Sequence, residues 1–243
     1  MEYSSLWSAT ATKESVLSEL ALQAAVFDCD GLLLDTASTW ARAFTVAAAA
    51  VGRRLDERQQ TALVGSSVSS AAELITEWVG RPGSRAGVAT ILHAALRATI
   101  DECPPPVLPG VPALLDRLSG ELPLGVASNA PADVLGDMLA RSGLRERFGT
   151  VVSADAVARP KPAPDVYLAA CRNLGVRPEN VVALEDSPAG ALAAQAAGLS
   201  LVVVTASDWP SFAPLPWPAR PVLYVTTMED PAVARLLSSR AAA

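Results

Sequence analysis

Residue types that support redox or thiolate chemistry are scarce in this chain of 243 residues. Its three cysteines, Cys29, Cys103 and Cys171, are odd in number, far apart and without a CxxC pair. This spacing predicts neither a disulfide framework nor a thiolate zinc site, and it fits a reducing cytoplasm. His93 is the only histidine, and the helical pattern around it indicates a packed or surface side chain. The sequence therefore argues against a nucleophile activated by histidine.

The sequence also lacks an excess of basic residues and any long apolar run. Its formal net charge of -6 offers no basic field for a phosphate backbone, so we expect no nucleic-acid partner. No stretch reaches the roughly 18 apolar residues of a membrane span. Residues 1–22 have no basic region followed by an apolar one, so they are interpreted as an N-terminal extension and not as a signal peptide. We predict a cytoplasmic protein without a membrane partner, as a monomer or homodimer.

The apolar residues that are present form short runs separated by helical stretches. Six runs rich in Val, Leu and Ala are typical of buried strands: AAVFD, LGVAS, TVVSA, VVALE, LVVVTA and VLYVTT. Stretches such as 131–143, 162–175 and 187–198 open near a proline and close in glycine, as helices do. This alternation predicts an α/β fold in which a parallel sheet is covered by helices on both faces.

The alternation is interrupted between Thr36 and Pro106, where apolar residues recur at helical spacing and no strand pattern occurs. The proline-rich stretch CPPPVLPG follows, and it predicts a stiff connection back to the sheet. Trp40 and Trp78 fall on apolar helical stripes of this insert and are interpreted as core residues. The predicted organisation is an extension at 1–22, a core domain at 23–36 and 107–230, an inserted helical domain at 37–106, and a C-terminal tail at 231–243.

Polar residues follow the predicted strands at the ends where ligands bind in open parallel sheets. Because the carboxyl ends of parallel strands meet at one edge, we expect these side chains to share one catalytic site. The set comprises Asp28, Asp30, Ser128, Asn129, Lys161, Glu185 and Asp186.

Four segments that carry these residues resemble the four ordered motifs of the haloacid dehalogenase superfamily: DCDGLLLDT, ASN, RPKPAPDVY and LEDSPAG. The resemblance spans about residues 23 to 206 and is to the branch with a helical cap inserted after the first motif, which includes beta-phosphoglucomutase, sugar phosphatases and phosphoglycolate phosphatases. It implies a Rossmann-like core, a bound Mg²⁺ and phosphoryl transfer through an aspartyl phosphate. Family members that cleave carbon–halogen bonds lack the second aspartate, so Asp30 favours phosphate chemistry.

The resemblance and the chemistry of the residues assign roles to the carboxylates. Asp28 is the expected nucleophile, and a divalent cation would offset its repulsion from an anionic phosphate. Mg²⁺ would be held by a side-chain oxygen of Asp28, the backbone carbonyl of Asp30 and the carboxylate of Asp186, with Glu185 as a direct or water-mediated ligand. Asp30 is also the expected general acid and base.

Lys161 is one of only two lysines in the chain, the other being Lys13. A lysine kept among so many arginines indicates a need for a compact charge, which would lie between the nucleophile and a phosphate oxygen and would serve both catalysis and substrate binding. Ser128 and Asn129 precede a predicted helix and are expected to donate hydrogen bonds to the phosphate.

We therefore predict a magnesium-dependent phosphatase acting on a small, sugar-like phosphomonoester. The alternatives are a phosphomutase and an inactive phosphate-binding regulator. Beta-phosphoglucomutase is disfavoured because Trp40 stands where its histidine is expected and Val68 where its phosphate-binding arginine is expected. Phosphonatase-like relatives use a Schiff-base lysine from the cap, and no lysine occurs between Thr36 and Pro106, so this chemistry is also disfavoured. The serine-rich loop at 66–70 is expected to hydrogen bond a hydroxylated leaving group.

Overall fold

A computed structural model describes residues 22–204 and 221–238 of the chain. The N-terminal extension predicted at 1–22 lies almost entirely outside these residues. The strands are β1 (Ala24–Phe27), β2 (Leu124–Ala127), β3 (Thr150–Val152), β4 (Val181–Glu185), β5 (Ser200–Val204) and β6 (Pro221–Val225). The α-helices are α1 (Ala37–Ala50), α2 (Glu57–Leu63), α3 (Val68–Val79), α4 (Arg85–Glu102), α5 (Val111–Leu118), α6 (Ala132–Arg141), α7 (Asp165–Leu174), α8 (Pro188–Ala196) and α9 (Pro231–Ser238).

The six strands form one sheet in the order β3-β2-β1-β4-β5-β6, and every neighbouring pair is parallel. Each lies within or beside one of the six apolar runs, so the predicted α/β class is confirmed. The central strand β1 pairs with β2 on one side and with β4 on the other. The carboxyl ends of these three strands therefore lie side by side at the middle of the sheet.

Successive residues of β1 point to opposite faces of the sheet, and each face is covered by helices. Ala24 and Val26 belong to a buried cluster with residues of α7 and α8. Ala25 and Phe27 belong to a second cluster with residues of α5, α6 and α9. Because β1 is buried on both faces, its sequence is a continuous apolar run and not an alternating one.

Helices α1 to α4 make up the insert between β1 and α5, and the structure describes no named strand in it. Asp56 begins α2 with a reciprocal pair of hydrogen bonds to Gln59, and Gly80 ends α3 in the left-handed conformation. This arrangement confirms the helical cap of the predicted fold. The exact domain boundaries at 37 and 106 remain a prediction.

The two segments that join the cap to the sheet are hydrogen bonded to each other. The Asp35 amide donates to the Pro106 carbonyl at 2.9 Å, and the Leu108 amide donates to the Leu33 carbonyl at 3.0 Å. Entry to and exit from the cap thus form one short antiparallel pair beside the carboxyl end of β1.

Residues 231–238, which the sequence assigned to a C-terminal tail, form helix α9 on the core instead. Val233, Leu236 and Leu237 are buried, and α9 packs against α5 and β6. The apolar spacing of these three residues drives this packing, because it gives a short helix one continuous apolar face. Within the described ranges, no helix combines the length and the apolar character needed to cross a membrane.

Candidate active site

The polar residues predicted at the strand ends meet at one edge of the sheet, beneath the cap. They lie at a cavity of about 500 Å³ that is lined by residues of both the core and the cap. Five of them line it: Asp28, Asp30, Asn129, Lys161 and Asp186. Ser128 and Glu185 lie behind this wall and are hydrogen bonded to members of it.

Lys161 lines the cavity and contacts two carboxylates. Its Nζ atom is 2.5 Å from Asp28 Oδ1 and 2.6 Å from Glu185 Oε1, and all three side chains are buried. Burial opposes the charge of the amine, but the two carboxylates outweigh it and raise the pKa of Lys161. Lys161 is therefore a permanent cation beside the predicted nucleophile.

For the predicted nucleophile Asp28, burial raises the pKa. Desolvation is the largest cause of the raised pKa of Asp28. Repulsion from Glu185 and Asp30 raises this pKa further, and attraction to Lys161 lowers it. An aspartate attacks only in its ionised form. Lys161 alone does not offset the carboxylates around Asp28, so the site needs a further positive charge to keep Asp28 ionised.

The carboxylates are arranged to receive a cation. Oxygen atoms of Asp28, Glu185 and Asp186 lie within 4.8 Å of one another. Asp186 Oδ1 is buried without a hydrogen-bond partner, and burial followed by repulsion from Asp28 raises the pKa of Asp186 well above its usual value. An all-oxygen donor set with an unsatisfied buried oxygen fits Mg²⁺.

Glu185 is held by more partners than the sequence suggested. Its Oε1 accepts hydrogen bonds from Lys161 Nζ and from the hydroxyl of Tyr167, each at 2.6 Å. Its Oε2 accepts from the Asp186 amide at 3.2 Å and from the Ser187 amide and hydroxyl at 3.3 and 3.1 Å. Glu185 thus fixes the position of Lys161 and has less freedom than Asp186 to serve a metal.

Gly31 makes the close approach of Asp186 possible. Its φ of 82° lies in the left-handed region, and a Cβ atom at this position would lie 2.1 Å from Asp186 Oδ2. Any side chain would therefore push the Asp186 carboxylate out of the site.

We expect Gly31→Ala to damage the site beyond the cost of its backbone conformation. The matched control is Gly120→Ala, at a φ of 73° with no atom within 4 Å of the added Cβ. Urea unfolding should show a loss of about 1–2 kcal/mol for the control, the usual cost of a left-handed L-residue, and a larger loss for Gly31→Ala. Only Gly31→Ala should also lose the rise in Tm on adding Mg²⁺. Equal behaviour of the two variants in both measurements would contradict this role of Gly31.

Asp30 is oriented by one donor from the core and one from the cap. The Ser128 hydroxyl donates to its Oδ2 at 2.9 Å, and the indole Nε1 of Trp40 donates to its Oδ1 at 2.7 Å. The half-buried ring of Trp40 packs against the core, as predicted, with its centroid 5.5 Å from that of Phe44, but it also lines the cavity, which the sequence did not indicate. Only the first turns of the apolar stripe of α1 line the cavity, and Ala47, Ala48 and Val51 pack in the core.

Asn129 joins three parts of the site. Its amide nitrogen donates to the Gly65 carbonyl of the cap at 2.8 Å and to the Lys161 carbonyl at 3.1 Å, while its side-chain oxygen accepts from the Lys161 amide at 2.9 Å. Asn129 therefore positions the Lys161 loop as well as lining the cavity.

The cap side of the cavity is formed by α1, α2 and the loop before α3. It presents the rings of Trp40 and Phe44 together with polar groups of Gln60, Thr61 and Ser66. Of the serine-rich loop, only Ser66 lines this cavity.

The remaining serines of that loop and the single histidine lie elsewhere. Ser67 caps α3 by accepting a hydrogen bond from the Ser70 amide, and Ser69 accepts one from Arg85. His93 is 2.9 Å from Asp133 on the surface between cap and core, away from the proposed chemistry.

Comparisons with known proteins agree with this geometry. A family model described as haloacid dehalogenase-like hydrolase matches residues 22–198. Hexitol phosphatase B of Escherichia coli K12 is 34% identical over 193 residues, which cover 76% of this chain and 84% of that protein.

Solved structures of the same family also superpose on the chain. CbbY from Rhodobacter sphaeroides, in complex with phosphate, matches with a TM-score of 0.73 and 28% identity over 88% of this chain and 99% of that one. Beta-phosphoglucomutase from Clostridium difficile matches with a TM-score of 0.69 and 26% identity over 75% of this chain and 84% of that one. The predicted resemblance is confirmed, and the chain belongs to the haloacid dehalogenase-like hydrolases with a helical cap.

Proposed function

We propose that this protein is a magnesium-dependent phosphatase that hydrolyses a small, sugar-like phosphomonoester through an aspartyl phosphate on Asp28. The observation that carries the proposal is the placement of Asp28 in the cavity wall, in contact with the cation Lys161 and within 4.8 Å of the carboxylate of Asp186, whose Oδ1 has no hydrogen-bond partner.

In the first step, a carboxylate oxygen of Asp28 attacks phosphorus. The bond between phosphorus and the ester oxygen breaks, and Asp30 gives its proton to the departing alkoxide. Lys161 supports this step by neutralising charge next to Asp28, and Glu185 keeps Lys161 in place.

In the second step, water attacks the phosphorus of the aspartyl phosphate. Asp30, now ionised, takes a proton from this water, and the bond between phosphorus and the Asp28 oxygen breaks. Inorganic phosphate leaves, and both aspartates return to their starting forms. The cap over the cavity limits the water that can reach the intermediate.

A metal would be held by the side chains of Asp28 and Asp186 and by the backbone carbonyl of Asp30. When bound, Mg²⁺ supplies positive charge to the phosphate oxygens and fixes the line of attack. Glu185 would act mainly by positioning Lys161 and the backbone at Asp186, whose amide donates to it. Its oxygens also accept hydrogen bonds from Tyr167 and Ser187, which leaves them less available to a metal.

The cavity supports a substrate with one phosphate group and a hydroxylated remainder. Among the described residues that line it, Lys161 is the sole lysine or arginine, so a second phosphate would find no cationic side chain there. Gln60 and Ser66 offer neutral hydrogen-bonding groups, whereas the Thr61 hydroxyl already donates to the Glu57 carbonyl at 2.9 Å. The similarity to hexitol phosphatase B supports a polyhydroxylated substrate. A cytoplasmic location and a monomeric or homodimeric state also remain predictions.

Phosphate release from a panel of esters tests this proposal. The full chain should hydrolyse hexitol and hexose monophosphates in the presence of Mg²⁺ and should lose this activity in excess EDTA. A sugar bisphosphate should be a poorer substrate. Transfer of phosphate between sugar positions without release would instead indicate a phosphomutase, and no turnover of any ester would indicate a phosphate-binding regulator.

A further inference from the structure

One contact between cap and core falls on the proposed general acid and base. Trp40 lies in the first turn of α1, and its indole N–H donates to Asp30 Oδ1 at 2.7 Å. It is a charge-assisted hydrogen bond when Asp30 is ionised, and such bonds are the stronger kind. Trp40 has no part in the two chemical steps described above.

The second oxygen of Asp30 is held from the core. Ser128 Oγ accepts a hydrogen bond from the Ala130 amide at 2.9 Å, so its own proton is directed to Asp30 Oδ2 at 2.9 Å. Ser128 is fully buried and belongs to the loop after β2. The Asp30 carboxylate is thus held by one donor on each oxygen, Trp40 from the cap and Ser128 from the core.

The indole of Trp40 is itself fixed by its neighbours. Its ring packs on Phe44, one helical turn further along α1, with an interplanar angle of 37°. The Trp40 amide donates to the Thr36 carbonyl at 3.0 Å, directly after the segment that connects cap and core. The donor can reach Asp30 only while α1 keeps this position over the end of β1.

We propose that Trp40 is a positioning residue that holds Asp30 in the orientation needed to protonate the leaving group. The proposal rests on the phosphatase function and on the role of Asp30 in it. A proton donor must be aligned with the ester oxygen, whereas a leaving group that departs readily as an anion needs no such alignment. Loss of the indole donor should therefore affect poor leaving groups selectively.

The test compares Trp40→Phe with Trp78→Phe on two esters, a hexitol phosphate and p-nitrophenyl phosphate. Phenylalanine keeps an aromatic ring beside Phe44 but has no N–H donor. For Trp40→Phe, we expect kcat on the hexitol phosphate to fall about tenfold, the value of one hydrogen bond to a charged group, with KM nearly unchanged. On p-nitrophenyl phosphate, the single-turnover release of p-nitrophenol should stay within about twofold, because this first step needs no proton from Asp30. Trp78, on α3 and outside the cavity lining, should give no loss on either ester.

The Asp30→Asn background separates positioning from general damage. There, Trp40→Phe should cause no further selective loss on the hexitol phosphate, because the group it positions has gone. An equal loss in the single-turnover release of p-nitrophenol, or a selective loss on the hexitol phosphate that persists in Asp30→Asn, would overturn the role of Trp40. Absence of turnover by the wild type on both esters would overturn the phosphatase function, and this proposal with it.

A second measurement does not require a folded Trp40 variant. In the ¹⁵N-labelled full chain, Asp30→Ala should shift one indole N–H resonance other than that of Trp78, which is assigned by its loss in Trp78→Phe. If no indole resonance responds to Asp30→Ala, the hydrogen bond is absent in solution and the proposal fails.

Discussion

Asp28→Asn is expected to reduce phosphatase turnover by at least about 10⁴-fold, as removal of a covalent nucleophile does in other enzymes. An amide cannot form the acyl phosphate. The fold should persist, because Lys161 would keep its ion pair with Glu185 at 2.6 Å. Steady-state release of phosphate from a hexitol phosphate, with Tm as a check on folding, measures this effect.

The matched control is Asp116→Asn, which makes the same chemical change at an exposed ion pair with Arg147. Its turnover should equal that of the wild type, because exposed pairs contribute little and Asp116 lies outside the cavity lining. Magnesium-dependent turnover retained in Asp28→Asn would remove the nucleophile from the proposed mechanism.

Lys161→Met is expected to weaken both folding and catalysis. It would leave Asp28 and Glu185 buried without their shared cation, and breaking a buried ion pair in this way costs about 3–5 kcal/mol of unfolding free energy. Turnover should fall by about 10²- to 10³-fold, the usual cost of losing one donor that stabilises the transition state. Urea unfolding and steady-state kinetics on the same samples measure the two effects.

Two further variants test whether the effect of Lys161→Met comes from the loss of a buried cation. Arg159→Met removes a cation two residues away whose partner is Asp165 and whose side chain is 71% exposed, so its loss should stay below about 1 kcal/mol. Adding Glu185→Gln to Lys161→Met should restore part of the lost stability by removing one buried charge, without restoring turnover. If Lys161→Met is as stable as Arg159→Met, Lys161 is not the cation that stabilises this site.

The sequence was most informative where burial and chemistry act on consecutive residues. Strand β1 is apolar on both faces because helices cover both, and Asp28 follows it at once because the sheet edge is the place where polar groups meet a ligand. Ser128 and Asp186 were predicted in the same way, because each follows an apolar run in the sequence. The parallel order of β2, β1 and β4 then brought these residues together without further information.

Residues that act through tertiary contacts could not be assigned in this way. Tyr167 is fully buried and donates to Glu185, yet in the sequence it is one apolar-face residue of α7, six positions after Lys161. Burial and then repulsion from Glu185 raise its pKa well above the usual value, so it stays a neutral donor. A phenol in a buried helical stripe needs a polar partner, and this was the available signal.

Trp40 shows the same limit from the cap side. Helical periodicity identifies the apolar face of α1, but it does not tell whether that face covers a core or a cavity. The two cases depend on how the cap is placed over the core, which is a tertiary feature that helical periodicity does not encode. Helix α9 was missed for a simpler reason, since the whole helix is only eight residues long and its apolar face has three buried residues.

The most direct test of the central claim is chemical trapping of the phosphorylated aspartate. Asp30→Asn should slow hydrolysis of the intermediate, so it is mixed with p-nitrophenyl phosphate and Mg²⁺, quenched in acid, reduced with borohydride and mapped by mass spectrometry. Reduction of an acyl phosphate converts the aspartate into homoserine, and we predict this change at Asp28 only when substrate is present. An unmodified Asp28 during turnover, or modification at Asp186 instead, would contradict the mechanism.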